Sequence, residues 1–514
     1  MSQAPPPPFD PYVVTDQGVA PPPRTLATAF RKIGPGIILA GSIVGSGELI
    51  LTTSLGARFG FQFLWLILFS CIIKVFIQIE LGRFTLSSGE TTLVALDKLG
   101  GPRLGGNWQL WWFFLMLLGT TVQLGAMLGG VALALHAAFP HSPEFFAWLG
   151  GFISPQLADW AMQRPEHPWA VLTALTAVVL LVSGGYQRIE LITTILVAAV
   201  TAITVACVVA VPYLGYPITM SDIYQGFVID PKLYSKAAVL AAFSCFGITG
   251  VGAVELYVYP YWCVEKGYAR FTGPNHPGNE WADRARGWVR VLQLDSWFSM
   301  LIYTTATVAF YMLGATVLYR QGLNPQGTAI ITTLSEMYVP VFGSWTRVFF
   351  LLGCWAVLFK TVYVASAANS RITADFLNVS KFVRFRDYND RKRCVRIWCA
   401  IYPTIGLLLY LLVREPQGMV IMGGFIQAAT LPLISFSTVY LRYKRTDKRI
   451  APGLVSDVLM WFAAVSISAV AIYAVQDSFL HKILPMLEGS TKPAAIEKVE
   501  GDKAAGEKKV ESGK

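Results

Sequence analysis

Repeated apolar runs constrain this chain more than any other feature of its sequence. Eleven stretches can be read as candidate membrane spans, at residues 34–56, 61–84, 109–139, 168–185, 189–213, 236–264, 289–317, 344–376, 394–413, 418–441 and 454–476. Each is long enough to cross a hydrocarbon core of about 30 Å as a helix. Because a helix satisfies its own backbone hydrogen bonds in lipid, the pattern predicts an all-α integral membrane protein.

The composition agrees with a membrane protein and argues against an enzyme. Of the 514 residues, 54% are hydrophobic and 14% are charged, whereas a soluble protein carries about 25% charged residues. We find no nucleophile–base pair, phosphate-binding loop or dinucleotide fingerprint in a strand-to-helix context. We therefore expect neither catalysis nor a bound cofactor.

Both ends of the chain differ in composition from the apolar middle. Residues 1–30 are rich in proline and predict a disordered cytosolic tail, and residues 480–514 mix lysine and glutamate with glycine and alanine and predict a second disordered tail. Between them we expect one transmembrane domain at 31–479. Within it, repeat one covers about 31–215, repeat two covers about 236–441, and an extra helix lies at about 454–476.

Lysine and arginine cluster in alternate loops. They precede span 1 and lie between spans 2 and 3, 4 and 5, 6 and 7, 8 and 9, and 10 and 11. The positive-inside rule then predicts a multi-pass protein of the plasma (inner) membrane, with a cytosolic N-terminus and, after eleven spans, an external C-terminus. The net charge of +10 is thereby a topology signal, and we expect no nucleic-acid partner. The expected partners are the bilayer and a small inorganic cation, and we expect a monomer.

Two spans combine a glycine cluster with one glutamate near their middle. In span 1, Gly45-Ser46-Gly47 precedes Glu48, and in span 6, Gly250 and Gly252 precede Glu255. Since glycine costs about 1 kcal/mol in a helix interior, both clusters predict helix breaks. The breaks occupy corresponding places in spans 1–5 and 6–10, which is the sequence signature of a transporter built from inverted repeats.

A carboxylate inside a membrane span indicates a functional site, because burying it unpaired costs several kcal/mol. We therefore expect Glu48 and Glu255 to face each other near the bilayer midplane. A structural alternative remains open, in which the small residues form a helix-packing face. Glu48 would then form a salt bridge with Lys74 or Lys360.

The register of span 1 resembles the Nramp family of divalent-metal transporters, a branch of the LeuT-type fold. In that family a Gly-Pro-Gly opens the first helix, and an Asp-Pro-Gly-Asn motif begins eleven residues after its first glycine; here Gly34-Pro35-Gly36 is followed at that distance by Gly45-Ser46-Gly47-Glu48. Gly45 thus stands in place of the aspartate and Glu48 in place of the asparagine. The resemblance covers about residues 30–475. It implies a LeuT-type fold with a 5+5 inverted repeat, about eleven transmembrane helices, and breaks in helices 1 and 6.

The resemblance continues, with departures, in later spans. Aligned from Gly250, Val254 replaces the family's metal-binding methionine, Glu255 its proline and Leu256 its histidine. Gln427 stands where the family places a glutamine that helps to bind metal.

Span 7 carries Asp295-Ser296 in a position similar to the family's Asp-Ser. Asp295 is a candidate gate or helix cap, and a structural salt bridge with Arg290 or a loop arginine is the alternative.

The candidate ligands that remain are oxygen donors. They are the carboxylates of Glu48 and Glu255, the amide of Gln427, the hydroxyls of Thr249 and Thr361, and carbonyls at the breaks, with Gly45 and Val251 as candidates. An all-oxygen site suits a hard cation, so we expect Mg²⁺, with Mn²⁺ as the alternative. A subgroup of Nramp-related magnesium transporters also lacks the usual motif, and this sequence resembles that group.

Proton coupling in ordinary members of the family is associated with the first-helix aspartate, the span 6 histidine and acidic residues on helix 3. In this sequence the two corresponding positions are Gly45 and Leu256, and the third span contains no acidic residue. We therefore expect transport without coupled protons. Alternatively, Glu48 or Glu255 carries the proton itself. Two rival functions stay open: an amino-acid or organic-cation permease on the same fold, and a transport-inactive sensor or scaffold.

Overall fold

The computed structural model of the protein describes residues 10–183, 187–229 and 234–478. The predicted C-terminal tail at 480–514 lies outside these residues. The α-helices are α1 (Leu26–Phe30), α2 (Pro35–Ile43), α3 (Thr53–Phe59), α4 (Leu64–Ser88), α5 (Thr92–Asp97), α6 (Trp108–Ala138), α7 (Ser142–Gly151), α8 (Pro155–Gln163), α9 (His167–Ser183), α10 (Gln187–Ala210), α11 (Met220–Gln225), α12 (Lys236–Ile248), α13 (Ala253–Lys266), α14 (Tyr268–Thr272), α15 (Asn279–Leu313), α16 (Ile330–Ser335), α17 (Val339–Phe342), α18 (Thr346–Val379), α19 (Tyr388–Val413), α20 (Pro416–Lys444) and α21 (Leu454–Ser478).

Shorter elements connect or extend these helices. π-Helical segments cover Gly47–Thr52 and Gly314–Leu318, and 3₁₀ turns cover Val211–Leu214, Gly327–Ala329, Glu336–Tyr338 and Lys448–Ile450. Two short antiparallel strands, β1 (Arg103–Leu104) and β2 (Gly106–Asn107), form a small hairpin before α6. Among the described residues, those up to 471 belong to one compact unit and 472–478, which are helical, to a second.

The apolar helices agree with the predicted spans. Among the described residues, nine helices are long and apolar enough to cross a membrane, and two bent helix pairs bring the number to as many as eleven. One bent pair is Pro35–Ile43 with Gly47–Phe59, at 41°, and the other is Pro155–Gln163 with His167–Ser183, at 101°. The multi-span helical architecture predicted from hydropathy is thus confirmed.

Both predicted helix breaks are present. In the first span, α2 ends at Ile43, Val44 leaves helical geometry with ψ 79°, and helical structure resumes at Gly47. In the sixth span, α12 ends at Ile248 and α13 begins at Ala253, with Gly250 at φ +65° between them. Because this backbone conformation is unfavourable for residues with a Cβ, glycine fits this break.

The breaks divide each of these spans into halves that lie on different sides of the membrane. Successive spans cross in opposite directions, so the first half of span 1 (α2) and the second half of span 6 (α13) lie toward the same face. We call it the N-terminal face, because the segment before α2 reaches it. The other halves, α3 and α12, lie toward the opposite face. α2 packs against α13, α15 and α18, while α6 packs against α18, α19 and α20.

Toward the opposite face the broken helices pack backbone against backbone. A Cβ built on Gly247 of α12 would lie 2.7 Å from the backbone nitrogen of Ala428 in α20. A Cβ on Gly56 of α3 would lie 2.5 Å from the carbonyl oxygen of Tyr311 in α15. These glycines allow close helix contact, as small residues do in membrane bundles.

Part of the predicted N-terminal tail contacts the bundle. Residues 10–30 are described, and they lie against the N-terminal face. The Tyr12 hydroxyl donates to Glu265 at 2.8 Å, and the indole nitrogen of Trp288 donates to the carbonyl of Ala20 at 2.9 Å. Proline-rich composition disfavours an independent core, but these contacts use the surface of the folded bundle instead. Residues 1–9 lie outside the described residues.

Candidate metal-binding site

A small cavity lies beside the two breaks and extends toward the N-terminal face. Its volume is about 50 Å³, and α2, α6, α13, α18 and α20 all contribute to its walls. Its polar lining includes Ser46, Gln123, Glu255, Thr361, Asn369 and Gln427, and Met127 adds a thioether. The cavity has room for a few water-sized groups.

Glu255 is the carboxylate that faces this cavity. It lies in the first turn of α13 and is partly buried, where the positive end of the helix dipole favours a negative side chain. The point at which a Cβ on Gly252 would lie is 2.5 Å from Glu255 Oε2 and 3.3 Å from Gln427 Oε1. A carboxylate oxygen and an amide oxygen therefore converge beside the break.

A chain of side-chain hydrogen bonds orients Gln427. Its Nε2 donates to Gln123 Oε1 at 2.6 Å, and Gln123 Nε2 donates to the Ser46 hydroxyl at 3.2 Å. Because the amide nitrogen is occupied in this way, Gln427 Oε1 points toward helix α13, where it accepts from the backbone N–H of Val254 at 3.4 Å. Gln123, Ser46 and Met127 were not among the residues predicted from sequence. In the sequence, Gln123 could have been identified by its polar amide in the middle of the apolar third span.

Glu48 lies behind the breaks rather than on the cavity wall. It is fully buried, Thr307 Oγ1 donates to its Oε1 at 3.3 Å, and the backbone N–H of Gly45 donates to its Oε2 at 3.4 Å. Glu48 thus connects the first break to α15.

The alternative in which Lys74 forms a salt bridge with Glu48 is not observed. Among the described residues, no carboxylate oxygen lies within 4.0 Å of Lys74 Nζ, which instead donates to the carbonyls of Phe246 and Thr249. Lys360 Nζ lies 2.8 Å from the position of a Cβ on Gly41 in α2.

The other predicted ligands fall into two groups. Thr361 lines the cavity, and its hydroxyl donates to the carbonyl of Val357 at 2.8 Å. Among the described residues, the cavity wall does not include Gly45, Thr249 or Val251. Val251 is fully buried, and the Thr249 hydroxyl lies 3.0 Å from Cys245 Sγ.

Thr361 of α18 leaves little room for a side chain at Gly45. A Cβ at this position would lie 2.8 Å from Thr361 Cγ2 and closer still to its hydroxyl. A side chain at position 45, such as the aspartate of the usual family motif, would therefore require Thr361 to shift.

Asp295 caps the first half-helix. Its Oδ1 accepts from the backbone N–H of Gly34 at 2.9 Å and its Oδ2 from that of Gly36 at 2.6 Å. The Tyr259 hydroxyl also donates to Oδ2, at 3.4 Å. The carboxylate therefore supplies an N-cap to α2 from α15, so that these helices are held together at the N-terminal face.

Replacing Asp295 with alanine is expected to lower the free energy of unfolding by about 2–4 kcal/mol, since one buried and one partly buried N–H group would lose their acceptor. The melting temperature of the detergent-purified variant measures this loss. Asp283→Ala on the same helix is the matched control, because Asp283 is exposed and pairs with Arg286 at 2.9 Å. Equal melting temperatures for the two variants would contradict the cap.

A route leads from the central cavity to the N-terminal face. Trp262 and Val364 line both this cavity and a second one of about 450 Å³ closer to that face. The Arg371 guanidinium lies 4.9 Å from the Trp262 ring centroid and donates to Glu265 at 2.7 Å. Trp262 is therefore positioned as the partition between the two cavities.

Among the described residues, no group of three or more His, Cys, Asp or Glu side chains could hold a metal ion. The cavity instead offers one carboxylate with neutral amide and hydroxyl oxygens. Such a site suits a cation that retains part of its water shell.

Solved structures align with this helical bundle over most of its length. A mutant of the Eremococcus coleocola manganese transporter aligns with a TM-score of 0.61 at 15% identity, over 94% of this chain and 92% of that one. Mhp1, a nucleobase-cation-symport-1 family transporter, aligns with a TM-score of 0.54 at 14% identity, over 92% and 96%. At these identities the likeness shows the fold alone. That fold is the LeuT-type fold of secondary transporters, as predicted.

Sequence comparison places the chain within that class. The family model described as natural resistance-associated macrophage protein-like (Nramp) matches residues 36–477. The divalent metal cation transporter MntH of Mesorhizobium japonicum is 23% identical over 384 residues, which is 73% of each chain. MntH of Latilactobacillus sakei is 22% identical over 463 residues, covering 87% of this chain and 89% of the relative. The chain belongs to the Nramp family, and it is a multi-pass membrane transporter rather than an enzyme.

Proposed function

We propose that this protein moves divalent metal cations through the central cavity, that Mg²⁺ is its favoured substrate, and that no proton is coupled to the movement. The observation that carries the proposal is the donor set of the cavity. Glu255 supplies a carboxylate, and Gln427 and Thr361 add neutral oxygens. The names of the MntH relatives support the divalent cation class.

The donor chemistry favours a hard ion. Mg²⁺ keeps several waters and is usually held by one or two carboxylates, and the cavity offers one with space for water. Val254, which replaces the family's methionine, brings no sulfur to this wall. With a volume of about 50 Å³, the cavity is far below the roughly 300 Å³ at which organic ligand pockets begin, which disfavours an organic permease.

One observation favours Mn²⁺ as a second candidate. Met127 on α6 lines the same cavity, and a thioether favours softer transition metals over Mg²⁺. If Mg²⁺ is the substrate, Met127→Leu is expected to change Mg²⁺ uptake by less than about twofold, because the substitution conserves apolar volume. A selective loss of Mn²⁺ uptake with unchanged Mg²⁺ uptake would instead assign the thioether to manganese.

The absence of a proton path is inferred from the residues along the transport route. Helix α6 contains no acidic residue, and Leu256 stands where the family has a histidine. Glu48 is sealed behind the breaks and does not reach the cavity wall. The cation would therefore move down its own electrochemical gradient.

We also propose that the N-terminal face is cytosolic, in a plasma (inner) membrane. The support is the concentration of lysine and arginine in the loops on that side. Transport would then require spans 1, 2, 6 and 7 (α2–α3, α4, α12–α13 and α15) to rock against the other helices. Asp295 would couple α2 to α15 during this motion.

Proteoliposomes test ion and coupling together. Purified protein is reconstituted with a metal indicator or a pH indicator inside, and external Mg²⁺, Mn²⁺ and Ca²⁺ are added in turn under a fixed membrane potential. We expect saturable Mg²⁺ entry and an unchanged internal pH. Metal-driven internal acidification would overturn the uncoupled mechanism, and uptake of Mn²⁺ without Mg²⁺ would overturn the choice of ion.

A further inference from the structure

Lys74 is a fully buried lysine in the middle of α4, a membrane-spanning helix. Its ammonium donates to the carbonyl of Phe246 at 2.7 Å and to that of Thr249 at 2.6 Å. These distances are typical of hydrogen bonds with a charged donor. The Phe246 ring centroid lies 5.0 Å from the same Nζ, within the range of a cation–π contact.

The two carbonyls are free because the helix ends there. α12 stops at Ile248, so carbonyls of its last turn lack intrahelical donors and carry the negative end of the helix dipole. The Ser70 hydroxyl lies within 3.3 Å of the Phe246 carbonyl and 3.1 Å of the Thr249 carbonyl. The lysine is therefore held by backbone dipoles of the break, since no carboxylate in the described part of the chain pairs with it.

Carbonyls at the break of a discontinuous transporter helix form the kind of environment that coordinates an alkali cation. We propose that the α12–α13 break is a monovalent-cation site that the ammonium of Lys74 fills permanently. The lysine holds the unwound segment in place and removes the need for a separate alkali ion.

This assignment has a consequence for the transported ion. The carbonyls of Phe246 and Thr249 are taken by Lys74, so they are not available as ligands, and binding is left to groups on the cavity wall such as Glu255 and Gln427. Lys74 is a positioning residue in this account. The proposal does not depend on which ion is transported.

Lys74→Ala in the full chain tests the site by emptying it. Its melting temperature is measured without divalent metal in NaCl, KCl or methylammonium chloride, against equal concentrations of choline chloride, whose cation is too bulky for the vacancy. We expect one of the small cations to raise the melting temperature saturably by about 2 °C or more near saturation. Wild-type protein is expected to show no such difference between salts.

Lys74→Met is the matched control, because its side chain fills the vacancy without a charge. It is expected to melt below wild type and to show no dependence on the cation. If the alanine variant is not recovered folded, Lys74→Ser leaves a similar vacancy and is measured in the same series. Melting temperatures that do not respond to any small cation, or that respond equally in Lys74→Met, would overturn the proposal.

Metal uptake by Lys74→Ala in proteoliposomes adds a second measurement. Uptake is expected to depend on the same small cation that stabilises the variant. Failure of wild-type protein to take up any divalent ion would refute the proposed function, whereas the melting series would still decide the role of Lys74.

Discussion

Replacing Glu255 with glutamine is expected to lower divalent cation uptake by about 100-fold or more. Its carboxylate is the charged group on the wall of the central cavity, and even residues that only support metal ligands cost about 10–100-fold when changed. Glutamine keeps the size and one oxygen but loses the charge that offsets dehydration of the cation. Uptake into proteoliposomes and calorimetric titration of Mg²⁺ into the purified variant measure the loss.

Two further variants separate binding from folding. Glu144→Gln makes the same chemical change on an exposed helix and is expected to match wild type. Glu48→Gln replaces one of the carboxylate oxygens that accept from Thr307 and Gly45 with an amide nitrogen, which cannot accept. The Glu48→Gln variant is therefore expected to have a lower melting temperature than wild type. If Glu255→Gln binds Mg²⁺ with wild-type affinity, Glu255 is not the ligand.

Replacing Gly247 with alanine is expected to destabilise the bundle by about 3 kcal/mol or more, at the upper end for overpacking. The added methyl group would lie 2.7 Å from the backbone nitrogen of Ala428 and nearer still to the carbonyl oxygen of Gly424. Both neighbours are backbone atoms, so no side-chain rotation relieves the collision. Helices α12 and α20 would have to separate beside the break of the sixth span.

The melting temperature and the monodisperse yield in detergent measure this effect. Gly151→Ala is the matched control, because nothing lies within 4 Å of a Cβ at that position. It is expected to leave stability unchanged or slightly higher, since alanine favours helix more than glycine does. A melting temperature for Gly247→Ala that equals the control would show that the two helices are free to separate.

The breaks were predictable because their causes are local. Glycine clusters weaken a helix regardless of what surrounds them, and both breaks occur where Gly45-Ser46-Gly47 and Gly250 predicted them. The N-terminal segment shows what such local reasoning leaves out. Composition indicates whether a segment can form its own core. It does not show that Tyr12 hydrogen-bonds to Glu265, which lies more than 250 positions away.

Sequence alone determined the eleven spans, the two broken helices and the presence of one glutamate beside each break, because hydropathy and backbone preference act over a few residues. Only the tertiary structure decided that Glu255 faces the cavity while Glu48 is buried between the breaks. It also brought Gln123 and Met127 to the cavity and set Lys74 against free carbonyls. The physical reason is that the face a side chain presents depends on how helices distant in sequence pack together.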